Sequence, residues 1–361
     1  MKKIAVVIKD LSTKGGVQYI SAKLINELAK NDNFQITLVS LFSAKDSIAI
    51  ELNPKIITKI VFKEPPFSMR TYPIKTILGL KHFFGENKFD LLIASTIASF
   101  LYLVLPKSTK KIFWIHQGFS LSKIFGIGWF DRRIAAKYFD AVVTLLDETK
   151  NDFINKINCS ARIVTIENSI SEIHPDFEYN PDSKSILSVG RLSFQKGFDL
   201  LIDVAKIVLS KHSDWVWHVG GDGDCMQSLL KKRDRLGLKG KLFFDGIPND
   251  IVDYYKDRAM YVMTSRYEGM PLVLLEARRA KLPCISFNCK TGPSSIISDG
   301  FNGYLINPFD VESMAAHICC LIENKNKRLE FSKNSQIGFD RYSDKKFLGK
   351  WNRLISELIE M

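Results

Sequence analysis

The sequence contains no C-x-x-C pair. Its six cysteines (Cys159, Cys225, Cys284, Cys289, Cys319 and Cys320) supply no disulfide framework and suit a reducing, cytoplasmic compartment. No apolar run reaches the ~20 residues that cross a bilayer. The longest, Leu91 to Pro106, is broken by Ser95, Thr96 and Ser99, and reads as strand 91–94 followed by a buried helix. The apolar start, Met1-Lys2-Lys3-Ile4-Ala5-Val6-Val7-Ile8, runs into Lys9-Asp10 and reads as a first buried strand, not a leader. There is no helix-turn-helix, zinc-finger or RNP-type pattern, so nucleic acid is not an expected partner. Repeats and low-complexity tracts are absent. So is G-x-G-x-x-G: the first βα turn, Ser12-Thr13-Lys14-Gly15-Gly16-Val17, has two adjacent glycines instead, which argues against a dinucleotide-dependent oxidoreductase.

Acidic residues are also short: 39 Asp and Glu against 51 Lys and Arg give a net charge of +12. Such a surface calls for an acidic partner, a phosphorylated ligand or an anionic membrane. In the N-terminal half, Lys75, Lys81, Lys88, Lys107, Lys110, Lys111, Lys123, Arg132, Arg133 and Lys137 are interleaved with Phe67, Tyr72, Phe83, Phe84, Phe125, Trp129 and Phe130. Cations with aromatics suit peripheral attachment to a membrane that carries a lipid-linked substrate; a generally basic soluble surface is the plain alternative. With 46% hydrophobic and 25% charged residues the chain is an ordinary globular one. Its 361 residues are too many for one core and predict two domains, 1–175 and 183–343, joined by the polar run Glu172 to Ser185.

Buried strands are expected at 3–8, 35–41, 56–62, 91–94, 111–115, 141–144 and 163–166. A second set follows at 185–189, 216–219, 242–244, 259–263 and 284–287. Helices are expected at 17–30, 249–258, 273–280, 310–323 and 346–360. Strands alternating with helices imply an α/β chain of two Rossmann-like, doubly wound parallel sheets. In such sheets ligands sit beyond the carboxyl ends of the strands. Gly15 and Gly16 lie there, where main chain can approach a phosphate or sugar at a helix start. His116 in Trp114-Ile115-His116-Gln117-Gly118 lies there too; a lone histidine at such a place is more often structural.

In the second half, Gly190-Arg191 and Lys196-Gly197 put two cations on one βα turn, an arrangement suited to a diphosphate leaving group. Asp245-Gly246-Ile247-Pro248 forms a turn whose main chain can read a nucleobase edge. Then comes Ser265-Arg266-Tyr267-Glu268-Gly269-Met270-Pro271-Leu272-Val273-Leu274-Leu275-Glu276. It places Glu268 on a strand-to-helix turn and Glu276 about one to two helical turns further on. Gly269 leaves room for a ligand, and the amides of Met270 and Leu272 face an anion at the helix start. Alone, the pair also fits an ordinary α/β turn with one capping and one surface glutamate. Together with the two cations it reads as a nucleoside-diphosphate site: Arg191 and Lys196 on the phosphates, Glu276 on the ribose hydroxyls, Glu268 on a sugar. Two cations on the diphosphate leave no need of a metal. Asp222-Gly223-Asp224, a D-x-D look-alike, is read as a glycine-rich turn, so neither a metal nor another cofactor is expected.

Gly190-Arg191-Leu192-Ser193-Phe194-Gln195-Lys196-Gly197-Phe198-Asp199, Val219-Gly220-Gly221-Asp222-Gly223, Glu268 with Glu276, and Gly292-Pro293 to Gly303 occur in an order that resembles the retaining glycosyltransferases of family 4. The resemblance is dense over residues 185–310 and looser before them. It implies the GT-B fold, two such domains facing a central cleft, with a last helix, 344–361, crossing back to the first. It assigns Arg191, Lys196, Glu268 and Glu276 the roles given above, makes Gly16 a donor contact, and places His116 near the donor sugar. It implies retaining transfer of a hexose or N-acetylhexosamine from a nucleotide sugar to a glycan or lipid-linked glycan, as in bacterial surface polysaccharide or lipopolysaccharide assembly. Uridine is the family's commonest donor base. Two departures stand out: Ser169 replaces glycine after Asn168, and Lys281 replaces the glycine before Leu282-Pro283. An epimerase or hydrolase of the same fold, or a non-catalytic nucleotide-binding module, are the competing expectations.

Overall fold

In the computed structural model, residues 1–12, 15–43, 51–62, 73–116, 118, 126–171 and 178–360 are described. Thr13, Lys14, Phe67, Tyr72, Gln117, Lys123, Phe125 and residues 172–177 of the expected linker lie outside them. The chain divides into two compact units, Met1–Ser169 with Lys345–Met361, and Ile170–Asp344.

The first unit is built on β1 (Lys2–Asp10), β2 (Phe34–Phe42), β3 (Ile57–Ile60), β4 (Leu91–Ala94), β5 (Lys110–Trp114), β6 (Ala141–Thr144) and β7 (Arg162–Thr165). Their order is β3-β2-β1-β4-β5-β6-β7, and the pairings are parallel. Parallel strands need crossovers. These include α1 (Gly16–Leu28), α2 (Pro73–Glu86), α3 (Ala98–Val104), α4 (Ile127–Tyr138) and α5 (Asp147–Lys156). Because helices cover both faces, the inner strands are apolar throughout: Leu91-Leu92-Ile93-Ala94 and Ala141-Val142-Val143 are all buried. At roughly 1.5–3 kcal/mol per large apolar side chain, such runs dominate the stability of the sheet. The edge strand β3 is largely exposed and carries Lys59, which discourages pairing with another chain.

The second unit repeats the plan with β8 (Ser185–Val189), α6 (Phe198–Lys211), β9 (Val216–Gly220), α7 (Met226–Arg235), β10 (Leu242–Gly246), α8 (Ile251–Tyr254), β11 (Met260–Met263), α9 (Leu272–Arg279), β12 (Cys284–Phe287), α10 (Pro293–Ile296), β13 (Gly303–Ile306), α11 (Val311–Glu323) and α12 (Lys325–Asn334). The parallel order is β10-β9-β8-β11-β12-β13. In each sheet the direction of winding reverses beside the first strand, between β1 and β4 and between β8 and β11. A buried polar tie crosses the second reversal: Ser188 Oγ donates to the Val262 carbonyl at 2.6 Å and accepts from Trp217 Nε1 at 3.1 Å.

The closing helix α13 (Asp344–Ile359) buries Phe347, Trp351, Leu354, Ile355 and Leu358. Trp351 meets Trp114 of β5 edge-on, ring centroids 4.7 Å apart, and Arg162 pairs with Glu357.

Two expected elements differ. The helix expected over 249–258 is only Ile251–Tyr254. Asp250 caps it through Val252 N and Asp253 N, but Tyr255 N and Lys256 N already reach back only three residues, and Asp257 takes φ 54°. The chain turns there to enter β11, and tertiary demand overrides helical propensity. Strand β13 was not anticipated. Its first residue, Gly303, lies so close to β12 that a Cβ would stand 2.1 Å from the Cys284 carbonyl oxygen.

Candidate active site

The carboxyl ends of β8 and β11 are neighbours because those strands pair, Met260 with Ile186 and Tyr261 with Leu187. Each end feeds a loop rich in the residues singled out above: 190–197 after β8, 264–271 after β11. The loops are sewn together. Arg266 N donates to the Gln195 carbonyl at 2.8 Å, and Gln195 Nε2 donates to the Tyr267 carbonyl at 3.0 Å. Thr264 Oγ1 donates to the Gly197 carbonyl at 2.9 Å. The Arg266 guanidinium grips Asp199 with two bonds of 2.8 and 2.6 Å, donates to the Phe194 carbonyl and stacks 4.0 Å from the Phe194 ring centre. That pairing holds the Asp199 carboxyl below its usual range and, at the first turn of α6, complements the helix dipole.

Gly197 makes this approach possible. It has φ 66°, and a Cβ there would lie 2.1 Å from the Thr264 carbonyl oxygen. The closeness brings Lys196 to Glu268: Nζ donates to Oε1 at 2.7 Å, with side-chain exposures of 19% and 7%. Ser265 Oγ donates to the same oxygen at 2.7 Å. Thr291 Oγ1 donates to the Glu268 carbonyl at 2.5 Å, and Gly292, φ 101°, packs against Pro271 and the Gly269 carbonyl. Gly190 lies along the Lys196 stem, and Arg191 is exposed on the same loop. Pro271 is the N-cap of α9 and offers no side-chain acceptor to the first-turn amides, Leu272 among them. Met270 is buried beneath that turn.

Glu276 lies in the second turn of α9, partly buried. Tyr255 OH donates to its Oε2 at 2.9 Å. Burial raises the Glu276 pKa above the ordinary carboxylate value; the Tyr255 hydrogen bond and the charges of Arg279 and Lys196 oppose this. Gly246, φ 74°, ends β10 and accepts from Gly221 N at 2.6 Å, while Ile247 beside it is 63% exposed. Asp245 accepts from Tyr254 OH at 2.6 Å and bonds His218 Nδ1 at 2.8 Å. The Asp222-Gly223-Asp224 stretch is a turn packed on Leu192, whose amide donates to the Asp222 carbonyl at 2.9 Å.

Gly15, Gly16 and His116 belong to the first unit. Gly15 is the N-cap of α1 with extended backbone, φ −175°, so its conformation does not demand glycine. His116 follows β5, its ring 4.5 Å from that of Trp114. Its Nε2 is shielded and has no hydrogen-bond partner among the described residues, and burial lowers the pKa to about 3, so the imidazole is neutral at neutral pH.

The first unit corrects the basic, aromatic surface in part. Lys111, Arg132 and Phe84 are buried: Lys111 Nζ donates to the Thr109 carbonyl at 2.6 Å and Arg132 to the Gly118 carbonyl at 3.0 Å. Lys75, Lys81, Lys88, Lys107, Arg133, Lys137 and Phe130 are exposed. So are apolar residues not anticipated, Ile74 and Leu78 on α2, Leu103 on α3 and Tyr138 on α4. Among the described residues no helix is long and apolar enough to cross a membrane.

Sequence reasoning gave no role to Ser265, Thr291, Tyr255 or the Asp199–Arg266 pair. Ser265, three residues before Glu268, carried a local signal; the other partners are distant in sequence and carried none.

Residues 14–172 match Glycosyltransferase Family 4, and residues 169–337 match Glycosyl transferases group 1. An uncharacterized glycosyltransferase of Haemophilus influenzae is 26% identical over 98% of this chain and 100% of its own length. The amylovoran biosynthesis glycosyltransferase AmsD of Erwinia amylovora is 27% identical over 99% and 100%. A TarM mutant of S. aureus, solved in complex with Fondaparinux, alpha-GlcNAc-glycerol and UDP, superposes on 100% of both chains with a TM-score of 0.83 at 17% identity. With two doubly wound sheets and these matches over both halves, the chain is a glycosyltransferase of the group 1, family 4 type with the GT-B fold.

Proposed function

We propose that this glycosyltransferase moves a hexose or N-acetylhexosamine from a UDP-sugar to a hydroxyl of a glycan or lipid-linked glycan, retaining the anomeric configuration. The supporting observation is the junction of the β8 and β11 loops, where Lys196 meets Glu268 at 2.7 Å and Glu276 stands in the second turn of the helix that follows. In this reading Arg191 and Lys196 bind the diphosphate, Glu276 the ribose hydroxyls and Glu268 the hydroxyls of the sugar. The main chain of Gly246 and Ile247 reads the base. The acceptor hydroxyl oxygen bonds to C1 as the C1–O bond to the diphosphate breaks, and the hydroxyl proton passes to the departing phosphate oxygen. The diphosphate leaves with the electron pair, and fixed positive charge stabilises it without a metal. The UDP seen with the TarM mutant favours uridine, and the name of AmsD favours polysaccharide assembly.

A melting screen against UDP, GDP, ADP, their sugar conjugates and NAD, with and without EDTA, tests this, because a ligand that binds only the native state raises the melting temperature. The expected result is stabilisation by UDP and one UDP-sugar, insensitive to EDTA and lost in Arg191→Ala and Lys196→Ala. Stabilisation by NAD alone would overturn the proposal. UDP release that needs no acceptor would favour an epimerase or hydrolase, and NMR of the product's anomeric centre decides retention.

The acceptor side rests on the first unit. Exposed Ile74, Leu78, Leu103, Phe130 and Tyr138 are interspersed with Lys75, Lys81, Arg133 and Lys137 on three consecutive helices, α3 in contact with both others. That mixture suits the headgroup region of an anionic membrane. Flotation with phosphatidylglycerol vesicles should be salt-sensitive and should fall in Lys75→Glu/Lys137→Glu; no binding at low salt would sink the membrane assignment.

A further inference from the structure

We infer that Tyr255 is a positioning residue for donor binding: its hydroxyl fixes the Glu276 carboxylate in the orientation that reads the ribose, so the discrimination between ribose and 2′-deoxyribose depends on a side chain that never touches the nucleotide. The inference rests on the ribose role proposed for Glu276.

Tyr255 is 1% exposed, and its hydroxyl donates to Glu276 Oε2 at 2.9 Å, with the Val273 carbonyl at 3.4 Å as a secondary neighbour. A carboxylate has about four acceptor positions. Tyr255 occupies one on Oε2, and among the described residues Oε1 has no hydrogen-bond partner. Rotation of the carboxylate would strand the buried phenol, so the bond holds one orientation. The phenol is itself held. Its ring stacks on that of Tyr261, centroids 6.0 Å apart and planes 26° apart, and Tyr261 OH donates to the Val189 carbonyl at 3.1 Å. Val189 is the last residue of β8, immediately before Gly190-Arg191. Two buried tyrosines thus tie the carboxylate on α9 to the root of the loop that bears the cations.

The same bond favours the ionised form of Glu276. Several groups surround this carboxylate, Tyr255 after α8, Arg279 on α9, Lys196 on the β8–α6 loop and Tyr261 on β11, with Cys284 of β12 near both tyrosines and Glu268 near Tyr261. Tyr255, Arg279 and Lys196 favour ionisation and burial opposes it, while burial keeps the two phenols neutral donors. Removing the Tyr255 hydroxyl leaves burial opposed by charge alone. The Glu276 pKa then rises, and ribose binding, which needs the ionised form, fails at a higher pH.

The test is calorimetric titration of the full chain with the ribo and 2′-deoxy forms of UDP, GDP and ADP from pH 5 to 9. Wild type should prefer the ribonucleotide about tenfold, as for one well-made hydrogen bond to a charged group. In Tyr255→Phe the preference should shrink toward unity, and ribonucleotide affinity should begin to fall at a higher pH. Tyr342→Phe loses an equally buried hydroxyl, one that donates to the Ser295 carbonyl at 2.8 Å, and should keep the wild-type ratio and profile. If Tyr255→Phe does not fold, 3-fluorotyrosine at position 255, a stronger donor, must shift the profile to lower pH. A wild-type ratio and profile in Tyr255→Phe would overturn the inference and leave the ribose role of Glu276 standing. A wild type indifferent to the 2′-hydroxyl, matched by an indifferent Glu276→Gln, would overturn both.

Discussion

Adding one methyl group at position 197 should break the junction on which the proposed chemistry depends. Gly197 has φ 66°, where an L-residue is disfavoured by about 1–2 kcal/mol. A Cβ there would stand 2.1 Å from the Thr264 carbonyl oxygen, which is main chain and cannot rotate away. The β11 loop must therefore retreat by more than an ångström, an overpacking cost of about 1–3 kcal/mol. Gly197→Ala should thus destabilise by about 2–5 kcal/mol and lower the melting temperature by about 10 °C. Gly240→Ala provides the control: its φ is also positive, at 83°, but nothing lies within 4 Å of the added carbon. It should cost only about 1–2 kcal/mol. Retreat of the loop also separates Lys196 from Glu268, so Gly197→Ala should lose UDP binding at temperatures where it remains folded, and Gly240→Ala should not. Equal melting shifts for the two variants, or intact UDP binding in Gly197→Ala, would refute the claim that close approach of the two loops builds the site.

Three further outcomes are expected. His116 is held near pKa 3 by burial, against about 6.5 in the unfolded chain, so its contribution to stability is complete above about pH 6.5 and is lost as pH falls toward 3. Urea midpoints should show a slope of up to about 1.4 kcal/mol per pH unit in that window, and His116→Phe, which keeps a ring against Trp114, should reduce it. Lys281 has φ 56° at the end of α9, so Lys281→Gly should raise stability by about 0.5–1 kcal/mol and Lys281→Ala should not, as thermal melts would show. Lys196→Ala should weaken UDP at least about tenfold, as loss of a charge-assisted bond implies, whereas Glu268→Gln should leave UDP affinity within about threefold and depress turnover. Calorimetry beside a product assay separates the two effects.

The Lys281 departure looked confined to one turn in the sequence, and its geometry shows what the expected glycine would do. Lys281 N donates to the Arg278 carbonyl at 2.9 Å and Leu282 N to the Ala277 carbonyl at 3.0 Å, the paired bonds of a Schellman helix stop with Lys281 in its left-handed position. The stop itself was legible, as were strands such as Leu91–Ala94 and Cys284–Phe287, because a strand buried on both faces leaves an unbroken apolar run. Charge was less legible. Lys111 and Arg132 counted toward a basic surface, yet both are buried, with main-chain carbonyls as partners. A cation count cannot distinguish a solvated ammonium from one that closes a loop.

Positions at the carboxyl ends of strands could be read from local pattern alone, and Lys196, Glu268 and Glu276 lie on the loop and helix starts where that pattern put them. Local pattern could not say which strand ends are neighbours. In sequence order β8 is followed by β9 and β10, and only the sheet order puts β11 beside β8. That adjacency brings Lys196 to Glu268 across 72 residues of chain and Asp199 to Arg266 across 67. The motifs therefore supply the groups given roles in the proposed chemistry, while their geometry comes from partners that no motif names: Thr264 on the Gly197 carbonyl, Arg266 on Asp199, Tyr255 on Glu276. Substitutions among these partners should alter donor binding without removing any group that touches the donor. That separates a site assembled by the winding of the sheet from one carried within a single loop.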